Sequence, residues 1–470
     1  LPKIRHAYLP NIGVPEAEML AELGVSSIDE LFKDIPAKFR LKGPLKISDG
    51  LSEIEVYRLI EAILAKNSDT GQQSSFLGGG VWSHLIPQAI HAIVERTEFL
   101  TAYTPYQAEI SQGMLQGLFE YQSLIAELVD LPIVNASMYD WASALGEAAL
   151  MAGRVTNRKK IIIPELLSPY RRAVLQTYTN PANLILEKVS CNPISGNVEL
   201  EKLKELVDND TAGVYIENPA YLGYLEVESE TIAEIAHDRG AQFVVGVDPT
   251  SLGILRPPGS YGADIVVGEG QPLGSAINFG GPLLGLFGCQ DDRRLIRQLP
   301  GRIIGLTTTV DGDRRGYVMT LQAREQHIRR EQATSNICSN QALCAITATI
   351  YLCLLGPRGL QQLGEQIIQL RHYAEKRLTE IDGVKAPRFD APHFKEFVLS
   401  LENTGPSRRG TINIRNVLEQ MQKRHVLGGI PLDRSFPQLR ESVLVCVTEV
   451  HTMEDIDRLA LAFRASLEAS

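Results

Sequence analysis

Between residues 159 and 268 the chain repeats one pattern, a short run of β-branched and apolar residues followed by a loop or an amphipathic stretch. The runs are KKIIIPE (159–165), NLILEKVS (183–190), AGVYIENP (212–219), QFVVGVDP (242–249) and ADIVVG (263–268). Runs of this kind are strands buried on both faces. SETIAEIAHDRG (229–240) supplies an intervening helix. Thr231 and Glu234 have capping-box spacing, Ile232, Ile235 and Ala236 share a face, and Gly240 is a stop signal. Such alternation predicts an α/β fold, a mainly parallel sheet with helices on both sides. Ligands in such folds lie beyond the carboxyl ends of the strands. Glu217, Asp248 and the Gly268–Gln271 turn are therefore expected on one rim.

The flanks read differently. Residues 1–66 carry helical apolar spacing in PEAEMLAELG and EIEVYRLIEAILAK, interrupted by DIPAKFRLKGP, and suggest a helical arm. FLGGGVWSHLIPQAIHAIVER is a glycine turn feeding a helix that starts near Pro87. After residue 335, QALCAITATIYLCLL and GLQQLGEQIIQLRHYAEKRLTEI have long helical spacing. EFVLSLE and ESVLVCVTEV then read as strands, TINIRNVLEQMQKRH and MEDIDRLALAFRASLE as helices. The expected division is an arm (1–66), a large α/β domain (67–335), and a linking helix with a C-terminal α+β domain (336–470).

Composition excludes several classes. A net charge of −10 argues against nucleic acid as a partner. The arginine clusters at 291–302, 311–316 and 324–331 are interleaved with acids and read as solvated or ion-paired faces. Six cysteines show neither CxxC pairing nor a histidine ladder, so no metal site or disulfide framework is indicated, and they are expected to be reduced and mostly buried. Apolar runs such as AITATIYLCLL are shorter than the ~18–20 residues of a membrane span. LPKIRHAYLPNIG has no signal-peptide pattern, and a cytoplasmic location is the expectation.

Asp248 ends an apolar strand and precedes Pro249. A carboxylate there either caps the loop or holds a protonated ring nitrogen, as in pyridoxal-phosphate enzymes. The glycine turns GEGQPLG and FGGP follow at 268–274 and 279–282. Such an enzyme also needs a lysine on the next strand or loop. This chain has no lysine between Lys204 and Lys376, although it has 13 arginines there. FLTAYTPYQAEISQG gathers Tyr103, Tyr106, Gln107 and Glu109 in a loop that enters a helix, either to line a ligand site or to bury at a domain seam. REQHIRREQATSNIC places Arg324, His327 and Ile328 at helical spacing before a polar loop at Ser335 and Asn336.

Together these stretches resemble the P-protein family of the glycine cleavage system, glycine dehydrogenase (decarboxylating), and within it the alpha chain of the split two-subunit form. The resemblance runs nearly end to end. It rests on YLPNIGVPEAEMLAELGVSSIDELFKDIP, FLGGGVWSHLIP, RTEFLTAYTPYQAEISQG, NASMYD with EAALMAGR, DPTSLGILRPPGSYGADIVVGEGQPLG, PGRIIG and REQHIRREQATSNICSNQAL.

The resemblance implies the aminotransferase-like fold (pyridoxal-phosphate fold type I) and a heterotetramer of two alpha and two beta chains. It further implies that glycine is decarboxylated through pyridoxal phosphate held by the beta chain. The aminomethyl group then passes to the lipoyl arm of H-protein. The Schiff-base lysine belongs to the beta chain, and Gln271 or Pro272 stands at its place here. Ser168-Pro169 replaces a common His-Pro, and Trp141 replaces a small residue where its bulk crowds a phosphate site. Ser168, Asp248 and Gln271 are then a vestigial cofactor pocket, with no cofactor expected on this chain. Tyr103, Thr104, Tyr106, Gln107, His327, Ser335 and Asn336 are candidates for facing the partner. Two other readings are a free-standing regulator or scaffold on a degenerate fold, and an enzyme binding pyridoxal phosphate non-covalently through Asp248.

Overall fold

The computed structural model describes residues 14–43, 45–68, 71, 73–337, 339–402 and 413–469. Cys338 and the segment LPKIRHAYLPNIG lie outside the described residues, as do Thr411 and Ile412 of the expected C-terminal helix. The chain divides into two compact units, 1–68 and 69–470. The first holds the helices Val14–Glu22, Ile28–Leu31 and Glu53–Leu64. The last of these opens with a capping box in which the Glu55 carboxylate accepts the Ser52 N–H at 2.8 Å.

In the second unit β1 (Ser74–Ser75) leads into a large sheet. Its strands are β2 (Ile133–Val134), β3 (Lys160–Pro164), β4 (Ile185–Val189), β5 (Thr211–Glu217), β6 (Gln242–Val247), β7 (Ile265–Glu269) and β8 (Gly285–Cys289), in the order β2-β8-β7-β6-β5-β3-β4. The five strands expected from the sequence are all present and mutually parallel. β8 and β2 extend the sheet antiparallel.

Side chains on successive residues point to opposite faces, and both faces are covered. Val214, Ile216, Phe243, Val245 and Val266 join one apolar cluster, while Tyr215, Val244, Ile265 and Val267 join the other. This accounts for the apolar runs of β3, β5, β6 and β7, whereas β4, expected to be buried on both faces, is the edge strand ILEKV and buries only Val189.

The expected capping box at Thr231 and Glu234 does not form. The helix spans Ser229–Asp238 with Glu228 as its N-cap, so Thr231 lies inside it. The Ser229 hydroxyl donates to the Glu226 carbonyl at 2.8 Å and fixes the earlier start. Gly240 does end the helix region, at φ +68°. The helix after the glycine turn is Gln88–Val94, with Pro87 at its N-cap.

β9 (Ile303–Thr308) and β10 (Arg315–Thr320) form an antiparallel hairpin. The helix Ala342–Thr379 is broken at Gly356 (φ +60°), next to Pro357. Beyond it come β11 (Val384–Lys385), β12 (Glu396–Leu401), β13 (Val426–Leu427), β14 (Ile430–Pro431) and β15 (Ser442–Cys446). Four of these form an antiparallel sheet in the order β11-β12-β15-β14, while β13 pairs with β1. The segment 76–87 therefore runs from the edge of the C-terminal region to the large sheet. Cys446 N–H donates to the Phe76 carbonyl at 3.0 Å, and the Thr448 hydroxyl to the Ser83 carbonyl at 2.7 Å.

Candidate functional site

The carboxyl ends of β5, β6 and β7 present three buried carboxylates on one rim, Glu217, Asp248 and Glu269. Each is engaged by another side chain or by backbone.

Glu217 binds Arg171 through two hydrogen bonds, Nε to Oε1 at 2.6 Å and NH2 to Oε2 at 2.8 Å. Tyr215 donates its hydroxyl to Glu217 Oε1 at 3.0 Å and accepts the Trp141 indole N–H at 3.0 Å. The guanidinium of Arg171 lies 4.0 Å from the Trp141 ring centroid and 5.5 Å from that of Tyr221. Arg171 is carried by the helix Pro169–Thr179, whose N-cap is Ser168. Ser168 thus shapes the helix start, and Arg171 is the residue of that segment that enters the pocket.

Asp248 is saturated. Its Oδ1 accepts the Thr250 N–H at 3.1 Å and the Thr250 hydroxyl at 2.7 Å, and its Oδ2 pairs with Lys395 Nζ at 2.7 Å. The Lys395 ammonium also lies 3.8 Å from the Trp82 ring centroid and donates to His84 Nε2 at 3.0 Å. His84 passes the chain of contacts on, with Nδ1 to Glu449 Oε2 at 2.8 Å. Burial, and then the Lys395 charge, push the His84 pKa down, so the ring is neutral and donates from Nδ1.

Glu269 accepts backbone N–H groups from Trp141 at 3.2 Å, Gln271 at 3.0 Å and Leu284 at 2.9 Å. Trp141 begins the helix Trp141–Thr156, so a carboxyl group of this chain already occupies that terminus. Burial pushes the Glu269 pKa up to about 8, against the pull of those three N–H groups. Gln271 clamps the backbone of Trp82, accepting its N–H at 3.0 Å and donating to its carbonyl at 3.1 Å.

These residues do not fit pyridoxal phosphate. The carboxylate oxygen that would face a pyridinium faces Lys395, and Trp141 stacks on Arg171 within the pocket. The space left among Trp82, Trp141, Arg171, Asp248 and Lys395 is roughly 10 Å³, room for one water molecule. Sites for small organic ligands run to several hundred Å³.

The aromatic and polar candidates gather elsewhere. Tyr106 and His327 meet edge to face, 6.1 Å between centroids. Arg302 joins them by donating to the Tyr106 hydroxyl at 2.8 Å and pairing with Glu325 at 2.8 Å. Thr104 and Ser339 hydroxyls are 3.2 Å apart. Tyr103 is exposed, and Gln107 precedes a single 3-10 turn. The helical spacing around His327 yields only Gln326–Arg329, one turn. Ser335 and Asn336 line a separate cavity of about 450 Å³ with Tyr178 and the buried Glu147. The candidates thus form two neighbouring groups joined by the 326–336 loop.

A model of the glycine cleavage system P-protein matches residues 6–463. The chain belongs to the glycine cleavage system P-protein family. Among its relatives, a probable glycine dehydrogenase (decarboxylating) subunit 1 from Staphylothermus marinus is 48% identical, over 97% of each chain. Its counterpart from Thermococcus onnurineus is 50% identical, over 97% of this chain and 98% of the relative. A crystal structure of glycine decarboxylase (P-protein) in inhibitor-bound form superposes with a TM-score of 0.84 at 38% identity, covering 98% of this chain and 100% of that one. Lactobacillus brevis glutamate decarboxylase, 12% identical with a TM-score of 0.67, covers 93% of this chain and 97% of its own, and shares the fold alone. The fold is the aminotransferase-like one of pyridoxal-phosphate fold type I.

Sequence spacing alone does not assign Lys395, Arg171 or Trp82 to the rim of this P-protein family member. Lys395 directly precedes, and Glu396 opens, the strand EFVLSL, every residue of which is buried, so neither charged group has a solvent-facing position to occupy.

Proposed function

We propose that this chain is the non-catalytic subunit of a two-subunit glycine decarboxylase, the P-protein of a glycine cleavage system. Pyridoxal phosphate and the lysine that anchors it reside on the partner subunit. The observation that carries this reading is the rim itself, where the cofactor's contacts are already made by Lys395, Arg171 and Glu269 of this chain. Its relatives' designation as subunit 1 supports a partner subunit 2.

In this reading the chain works by assembly in the cytoplasm, two copies with two partners, and helps receive the lipoyl arm of H-protein. The loop bearing Tyr103, Thr104, Tyr106 and Gln107 and the one bearing His327, Ser335 and Asn336 face the partner's site. The Arg302–Glu325 pair stiffens the floor between them, so Tyr106 and His327 are held for contact with little ordering cost.

The test is glycine-dependent bicarbonate exchange by this chain, by its partner and by the two mixed, each with H-protein and pyridoxal phosphate. Activity confined to the mixture supports the proposal. Activity of this chain alone would refute it.

A further inference from the structure

We propose that the retired pocket has become a ligand-independent clasp, in which Lys395 takes the place of a bound cation and ties three segments of the chain together. The first segment is the end of β6, through Asp248 and Thr250. The second is the strap 76–87, through Trp82 and His84. The third is the C-terminal sheet, through Lys395 on the approach to β12 and Glu449 beyond β15. The inference stands on the pocket geometry and does not depend on the chain having a partner.

Four observations converge on it. Lys395 is buried, yet its ammonium finds Asp248 at 2.7 Å, His84 at 3.0 Å and the Trp82 face at 3.8 Å. A buried ammonium without such partners is prohibitively costly, so the site is built for this occupant. The strap is also bound from the C-terminal side by two carboxylates: Gly79 N–H donates to Glu396 Oε1 at 2.6 Å, and Leu85 N–H to Glu449 Oε1 at 2.7 Å. Gln271 grips the same strap from the large sheet through Trp82. Finally, the chain has two tryptophans, and both lie on buried cations, Trp82 on Lys395 and Trp141 on Arg171.

The strap close to Glu396 leaves no room for a side chain. A Cβ on Gly78 would come 2.3 Å from Glu396 Oε1 and 2.7 Å from Cys446 Cβ, so the strap backbone packs directly against these two side chains. A fold that closes around a cofactor gains its closing contacts only when the ligand arrives. Here the closing contacts are covalently attached to the chain, and closure accompanies folding.

The test is a double-mutant cycle on the full chain with K395M, D248N and the two combined. Asn at position 248 keeps an oxygen for the Thr250 bonds, while the charge is removed. Each single change leaves one buried charge unpaired and lowers the melting temperature by on the order of 5 °C. The double variant removes both charges and regains most of that loss. Decrements that simply add would overturn the clasp.

A second arm works on the unaltered chain and is decisive even where single variants fail to fold. Millimolar 4-deoxypyridoxine 5-phosphate, which lacks the aldehyde and cannot label surface lysines, is expected to leave the melting temperature and tryptophan emission unchanged. A saturable shift in either would mean that the pocket opens to a ligand, and the proposal fails.

Discussion

Arg171 and Glu217 meet as a fork and a carboxylate, with two parallel hydrogen bonds of 2.6 and 2.8 Å in a site closed to solvent. Replacing Arg171 with Met leaves Glu217 buried without its counter-charge. The expected loss is about 3–5 kcal/mol, read from urea unfolding. Arg171→Lys recovers only part of it, because a single ammonium cannot make two parallel bonds or stack flat on Trp141. Full recovery by lysine would show that charge alone matters at this position.

Glu269 gives a prediction about pH. Its carboxyl titrates near 4.5 in the unfolded chain and at about 8 in the folded one, chiefly because burial disfavours the anion. The folded chain therefore holds a proton that the unfolded chain has lost between those values. The resulting stabilisation is complete below about pH 4.5 and disappears as pH rises through about 8. Glu226 and Glu396, both pushed up to about 7 by burial, act with the same sign. Glu269→Gln keeps a neutral group of the same shape, and its stability should fall less steeply with pH, by up to about 1.4 kcal/mol per unit. Parallel stability curves for variant and parent would contradict a protonated Glu269.

The Tyr106–Arg302–His327 group separates assembly from folding. Tyr106 is half exposed, so Tyr106→Phe gives up one hydrogen bond to Arg302 at a cost of about 1 kcal/mol or less in stability. His327 is likewise partly open, and His327→Ala leaves the buried Arg302–Glu325 pair intact. If these rings face the partner's site, each change lowers the exchange rate of the mixed subunits by roughly tenfold or more, equivalent to about 1.4 kcal/mol. The melting temperature of the chain stays nearly constant. A rate unaffected by both substitutions would assign the rings to a structural seam.

The parallel core was readable in the sequence because β3, β5, β6 and β7 are buried on both faces, which leaves an apolar signature for each, whereas β4 lies at the sheet edge and carries Glu187 and Lys188. β8 carries two glycines in GLFGC, and β2 has two residues, so neither leaves a periodic trace. The rim was legible to the same depth: the strand ends place Glu217 and Asp248 on it. What those groups touch was not legible. Arg171 reaches Glu217 across 46 residues and Lys395 reaches Thr250 across 145, and nothing local encodes either contact. The lysine-free stretch between Lys204 and Lys376 points to the loop after β7, whereas the lysine that fills the pocket, Lys395, lies beyond that stretch.

Restoring a lysine to that loop does not restore the pocket. The Gln271 side chain accepts the Trp82 N–H and donates to the Trp82 and Ser275 carbonyls, and Gln271→Lys removes the only one of these atoms able to accept. The buried Trp82 N–H is then left unpaired, at a cost of about 1–3 kcal/mol. The new amine at position 271 follows Glu269 by two residues and can take its proton, which turns it into a second buried ammonium, and Lys395 still covers Asp248. The variant should be less stable than the parent. After addition of pyridoxal phosphate and gel filtration it should carry no visible absorbance band, and borohydride should leave no pyridoxyl group at position 271 by peptide mass spectrometry. Stoichiometric labelling there would mean that the missing lysine was the last barrier to cofactor binding, and that Lys395, Arg171 and Trp141 yield when an anchor is supplied.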